Sequence, residues 1–365
     1  MKIVLGVCGF GYGHSIRQRP ILEGLIARGH SVILVTNDSS YQFFSTYYPQ
    51  VTNARVYVPV MHTTPRGLDF AATAADPRNE QPGANAAFWN TCGLIEREFG
   101  VPDLVISDYD MVTAQIAYLF GVPLVTLDQQ SKFLGYDFPD VNGYNPNEHR
   151  MRLGYFFPKA QARIATSFFK VNYDTRTHYP VTIIPPIIGK DVQGQTAAPV
   201  DKQVTVYISN ASHIQQSVAE VFGVFSQFPD TAFNCFINAP DAAAPANVKV
   251  MPNGRAAFIN CLRQSAAVIA TAGHNLITES LYLHVPAFLL PFDHYEQQLN
   301  AQVISQEGVG TAADVITLDN LSAFLSNLDS YRQRRHESEI LYNRFDGDEV
   351  FLALVETAAF SYASP

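Results

Sequence analysis

Residues 268–302 read VIATAGHNLITESLYLHVPAFLLPFDHYEQQLNAQ. The apolar run up to Ala272 stops at Gly273, and a helical pattern opens at about His274 or Asn275, so the stretch is a strand, a glycine turn and a helix. PAFLLPF then supplies a second strand, and QQLNAQVISQEG a second helix that ends at Gly308. A helix start just after a strand gathers unpaired amide N–H groups and the positive end of the dipole, which suits a diphosphate. Gly273, His274 and Asn275 are the candidates for that contact. One turn inward, Glu279 can accept hydrogen bonds from vicinal hydroxyls such as those of a ribose. Glu296 and Gln297 offer a carboxylate and an amide to the hydroxyls of a sugar.

Outward from this stretch, strand-like runs alternate with helical patterns along most of the 365 residues, the mark of a parallel α/β sheet. KIVLGVCG, HSVILVTN, PDLVIS and VPLVTLD belong to a first series, with helices at Ile16–Arg28 and MVTAQIAYLFG. QVTVYIS, TAFNCFIN and AAVIATAG belong to a second, with the helix SVAEVFGVFSQF. The reading is two Rossmann-like halves, a first domain over 1–175 and a second over 201–345. A Pro- and Gly-rich linker fills 176–200, and a last helix in 346–365 crosses back to the first domain. LGYFFPKAQARIATSFFKVNY reads as a packed helix with a solvated basic face, or else as a helix for peripheral membrane contact.

The first series opens with VLGVCGFGYGHSIRQRP, Val4 to Pro20. A dinucleotide fingerprint starting at Gly9 needs glycine or alanine at position 14, where the helix packs on the strand. His14 breaks that pattern. Either the glycines Gly11 and Gly13 admit a ligand close to the backbone with His14 pointing at it, or the histidine serves only a local hydrogen bond. Arg17, three residues on, shares the same side of the helix. It can meet an anion or be a solvated surface residue.

Gly273, Asn275, Glu279, Pro286, Glu296 and Gln297 follow the order and approximate spacing of the donor signature of GT-B glycosyltransferases, and the chain resembles them over nearly its whole length. Those families include plant UDP-glycosyltransferases and the bacterial lipid-linked N-acetylglucosaminyl transferase, and GFGYGHS with PDLVISDYDMVTAQIAYLFG is similar to a branch near the latter. Thr271, His274 and His284 stand where plant-type members carry histidine, tryptophan and glycine. The resemblance implies an α/β GT-B fold with two domains facing across a cleft. It implies an inverting hexosyl transfer from a nucleotide diphosphate donor, UDP first, to a hydroxyl of a small-molecule, saccharide or lipid-linked acceptor. His14 takes the place of the general base, and Asp108 that of its supporting carboxylate, with Asp110 as the alternate. Asn210 and Ser212 are implied as phosphate contacts, and Ile259 and Asn260 as main-chain contacts to the base. A nucleotide-sugar 2-epimerase of the same fold and a non-catalytic nucleotide-sugar-binding protein are the alternatives.

Composition narrows the classes further. A formal net charge of −9 argues against broad nucleic-acid binding, which depends on a basic surface. With 47% apolar and 16% charged residues the chain is expected to fold. Four scattered cysteines without a CxxC pair, and no recognisable leader, point to a reduced cytoplasmic setting. No run reaches the ~18 apolar residues of a membrane span. DYD at Asp108–Asp110 also spells a metal-binding D-x-D. The second glycine turn places the diphosphate in the other domain, so no cofactor and no essential metal are expected. The remaining histidines show no ligand spacing.

Overall fold

The computed structural model describes all residues except 177, 209–213, 238–242, 253 and 358–365. In chain order the described strands are β1 (Lys2–Val7), β2 (Ser31–Thr36), β3 (Asn53–Arg55), the short pair β4 (Thr63–Thr64) and β5 (Gly67–Leu68), β6 (Leu104–Asp108), β7 (Leu124–Asp128), β8 (Ala162–Thr166), β9 (Thr182–Ile184), β10 (Val200–Ile208), β11 (Ala232–Ile237), β12 (Val248–Val250), β13 (Ser265–Thr271), β14 (Ala287–Leu290) and β15 (Gly310–Ala312). The first sheet runs β3-β2-β1-β6-β7-β8-β9 and the second β12-β11-β10-β13-β14-β15. Pairing within both is parallel. The Val- and Ile-rich runs have no polar alternation because helices cover both faces of such sheets.

In each sheet the strand order reverses beside its first strand. The crevice outside the carboxyl ends at that point is where open α/β sheets receive ligands. In the first sheet the reversal falls between β1 and β6, with Val7 beside Asp108 in register. In the second it falls between β10 and β13. Residues 209–213, which follow β10, include Asn210 and Ser212, so those two candidates lie outside the described residues.

A single apolar cluster joins the two lobes. Phe133, Phe138 and Phe168 of the first lobe pack in it with Leu276, Leu289 and Tyr295 of the second. The rings of Phe133 and Tyr295 meet edge to face at 5.3 Å, and the Tyr295 hydroxyl donates to the carbonyl of Pro139 at 2.8 Å. The helix Gly347–Glu356 returns to the first lobe, where Phe351, Leu352 and Val355 share a core with Ile3, Leu5 and Ile21. Leu352 sits over Gly24, where a Cβ would come within 2.3 Å of it. Arg28 ties the helix down, with Nη2 2.6 Å from Glu349 and Nε 3.1 Å from Glu356.

Three local expectations change. The first helix starts at Tyr12, a turn before Ile16, and Pro20 lies inside it. The stretch expected to be plain linker carries β9, because Thr182, Ile183 and Ile184 favour an edge strand on β8. The segment read as one basic helix is a helix, Asn147–Phe156, followed by β8. Arg163 is not on a solvated face: it is buried in β8 and donates from Nη2 to the carbonyl of Phe157 at 2.6 Å. No helix among the described residues is long and apolar enough to cross a membrane. All four cysteines are free and buried.

Candidate active site

The turn after β1 is shaped by its glycines. Gly11 precedes the helix Tyr12–Ala27 with φ +72°, a conformation that costs a side-chain-bearing residue about 1 kcal/mol or more. At Gly9 a Cβ would stand 2.1 Å from the carbonyl oxygen of Asn37, so the turn lies flat against the end of β2. The first turn of this helix then carries His14 inward, leaving it 9% exposed.

His14 Nδ1 lies 3.0 Å from Asp108 Oδ1 at the end of β6. Arg17 Nη2 reaches the same oxygen at 2.6 Å and stands 2.9 Å from His14 Nδ1. Burial pushes the Asp108 carboxyl up, but the charge of Arg17, and after it His14, overcomes this and holds it below the ordinary carboxylate range. Asp108 is therefore an ionised carboxylate serving two donors. Asp110 does something else: its side chain caps the helix Met111–Phe120, accepting from the amides of Val112 at 3.0 Å and Thr113 at 3.2 Å. Between them Tyr109 takes φ +54°, an uncommon backbone state that sends the two carboxylates in different directions. Of the two aspartates, Asp108 is the one beside His14. Arg17 is no surface residue, being 3% exposed.

On the facing lobe, β13 ends at Thr271 and the helix His274–Tyr282 starts after Gly273 with no side-chain cap. Its first amides thus remain available. His274 is buried, neither ring nitrogen makes a hydrogen bond, and burial drives its pKa well down, so it is a neutral imidazole. Asn275 Nδ2 donates to the carbonyl of Gly13 at 2.5 Å, which brings the two glycine turns into direct contact. A Cβ at Gly13 would sit 3.4 Å from that nitrogen.

Gln297 spends its Oε1 on the amides of Ala272 and Phe292, both at 3.1 Å, and so braces the loops after β13 and β14. Glu296 reaches across the lobes, accepting from Gln129 Nε2 at 2.7 Å and Gln130 Nε2 at 3.2 Å. Glu279 is 4% exposed with Arg255 Nη2 2.7 Å away, and Arg255 Nε holds Asp191 at 2.7 Å. Burial raises the Glu279 pKa more than Arg255 lowers it. Ile259 and Asn260 are not brought to this cleft. They lie inside the helix Arg255–Arg263, where main-chain groups are committed to helical bonds; Ile259 is in the core and Asn260 faces solvent.

Lys132 was not singled out from the sequence. It follows β7 in the helix Ser131–Gly135, is fully buried, and its Nζ has no hydrogen-bond partner. The rings of Phe133 and Phe169 stand 5.1 and 5.4 Å from the ammonium. Burial pulls its pKa down to about 8, against the opposite pull of Glu296 and Asp128. Its signal was present in LDQQSK, a lysine just beyond the carboxyl end of a core strand.

Two parallel sheets, facing glycine turns and a buried His–Asp pair across from an uncapped helix start define a two-lobed GT-B glycosyltransferase. Residues 1–329 match glycosyl transferase family 1, and the chain belongs to that family. A curated relative from Methanosarcina acetivorans, "Uncharacterized glycosyltransferase", is 32% identical over 102 residues, 26% of this chain and 26% of the relative. The match thus spans about a quarter of that relative's length. The solved glycotransferase of kitacinnamycin superposes with a TM-score of 0.65 at 16% identity, covering 98% of this chain and 99% of that one. MurG of Acinetobacter baumannii does so with 0.61 at 14% identity, covering 98% and 100%. At those identities the likeness shows the fold, and the enzyme class rests on the family.

Proposed function

We propose that the chain transfers a hexose, with inversion, from a nucleotide diphosphate donor, UDP first, to a hydroxyl of a small-molecule, saccharide or lipid-linked acceptor. The observation that carries the reading is His14 on Asp108, set opposite the uncapped start of the helix His274–Tyr282. We assign the His14 proton to Nδ1, facing the ionised Asp108, with Arg17 Nη2 donating to Asp108 rather than to Nδ1; the Nε2 lone pair is then presented. That nitrogen takes the acceptor's proton as its oxygen bonds to the anomeric carbon and the bond to the diphosphate breaks. The carboxylate then stabilises the imidazolium.

The leaving diphosphate meets the amides at Gly273–Asn275 and the ammonium of Lys132, which needs no metal bridge. Asp108 and Asp110 are engaged separately, with His14 and with a helix start, which favours a metal-independent step over a D-x-D centre. Incubating the protein with a panel of nucleotide-sugars, with and without hydroxylated acceptors, tests the reading. Acceptor-dependent release of nucleoside diphosphate supports it. Epimer formation in donor alone replaces it with the epimerase reading.

Two variants probe the donor side. Glu279→Ala lowers nucleoside diphosphate affinity about tenfold or more by removing a charged hydrogen-bond acceptor, measured by calorimetry. Lys132→Met does the same and also raises the thermal midpoint, because an unpaired buried ammonium is costly. An unchanged dissociation constant in either variant removes that residue from the donor site.

A further inference from the structure

One residue from the His14–Asp108 pair, across the ring of Tyr109, Glu148 and His149 open the helix Asn147–Phe156 of the first lobe, and His294 precedes the helix Tyr295–Gln306 of the second. Glu148 Oε1 lies 3.2 Å from His149 Nε2 and 2.6 Å from His294 Nε2. The three ligand atoms all fall within 4.8 Å of one another, and among the described residues this is the one such group. Glu148 and His149 are 3% and 2% exposed.

The contacts are short but misdirected. Neither Glu148 Oε1 nor His149 Nε2 makes a hydrogen bond of acceptable geometry. Buried polar atoms left without a well-aligned partner are costly, and a shared cation would satisfy Glu148 Oε1 and His149 Nε2 together. The other nitrogen of His149, Nδ1, is 3.2 Å from the hydroxyl of Tyr109, and Phe133 stacks on the ring at 4.8 Å. With Nδ1 donating its proton to that hydroxyl, the ring is held in place and Nε2 is free to ligate.

We infer that Glu148, His149 and His294 form a transition-metal site that fastens one lobe to the other. Two imidazoles and one carboxylate select a borderline dication of the Zn²⁺ type over Mg²⁺ or Ca²⁺. A tetrahedral ion with bonds of about 2.1 Å spaces its ligand atoms by about 3.4 Å. The Glu148–His149 spacing fits as it stands, and His294 withdraws by less than about 1 Å to admit the ion. The charges of Arg152 and Lys132 oppose a cation here, and those of Glu148 and Glu296 favour one. Three protein ligands leave a fourth position for water. The site is built by both lobes, two residues from Glu296, so an ion in it holds the cleft at one width.

The test uses the untagged full chain after chelator treatment, titrated with Co²⁺ by its visible absorption and with Zn²⁺ by calorimetry. One ion per chain with tetrahedral Co²⁺ absorption and a raised thermal midpoint is the expected result. His294→Gln, at the part-exposed ligand, folds as the parent does and loses affinity a hundredfold or more, while Tyr109→Phe loses about tenfold. Mg²⁺ gives no shift. If neither metal shifts the parent's midpoint or binds at micromolar concentration, the cluster is a Glu–His ion pair alone and the inference is overturned. Equal Co²⁺ absorption in the parent and in His294→Gln overturns it too.

Discussion

His14→Ala reduces sugar transfer by about three orders of magnitude and leaves the dissociation constant for nucleoside diphosphate within twofold of the parent. Removing a positioned base typically costs 10²–10⁴ in rate. In the proposed arrangement the diphosphate meets the start of the helix His274–Tyr282 and the ammonium of Lys132, so binding of the donor's nucleotide part does not pass through the imidazole. The contact that joins the two turns uses the backbone carbonyl of Gly13 and survives the substitution. Initial rates with saturating acceptor, paired with calorimetric titration of the diphosphate, separate the two effects. Loss of diphosphate affinity in this variant would move the donor to the first lobe and end the assignment.

Asp108→Asn has the second largest effect, and it acts twice. Turnover falls nearly as far as in His14→Ala, because a neutral amide no longer fixes the proton on Nδ1. Stability falls as well, by about 3 kcal/mol or more, since the Arg17 guanidinium stays buried without its counter-charge. Asp108→Leu combined with Arg17→Met removes both charges and recovers the thermal midpoint without recovering turnover. A double variant that stayed as unstable as Asp108→Asn would show that the pair is not the source of the loss. The pH dependence has a fixed sign. The folded pKa of Asp108 lies below its unfolded value of about 3.9, so its contribution is complete above that value and is lost as pH falls through the folded pKa. The stability gap between parent and Asp108→Asn therefore closes in acid.

Much of the fold was legible because parallel strands buried on both faces leave uninterrupted apolar runs. KIVLGV, LVISD, SAAVIAT and AFLL are all of this kind. The His14–Asp108 pair was legible through the family resemblance, which puts a histidine in the first glycine turn and an aspartate after a later strand; that the two meet where the sheet order reverses is seen only in the fold. ARIAT escaped notice since aromatic and basic neighbours on either side mimic a helical face, and β9 because three residues carry too little pattern. Lys132 escaped because an ammonium without a partner looks in sequence like a surface lysine. The Glu279–Arg255 and Glu148–His149–His294 groupings could not be read at all. Glu148 and His294 are 146 residues apart in the sequence, and only the packing of one lobe on the other makes them neighbours.

The returning helix Gly347–Glu356 has a consequence for how the chain matures on the ribosome. Phe351, Leu352 and Val355 are nearly fully buried in the core built on β1 and the first helix, each worth about 1.5–3 kcal/mol of apolar burial. Synthesis proceeds from the amino end at about 5–20 residues per second. The first lobe must therefore wait, with the Gly24 face of its first helix uncovered, until the second lobe and residues 347–356 after it have been made. Nascent chains stalled before residue 347 should carry that face as a sticky surface for chaperones, whereas the later-made lobe closes its own core without delay.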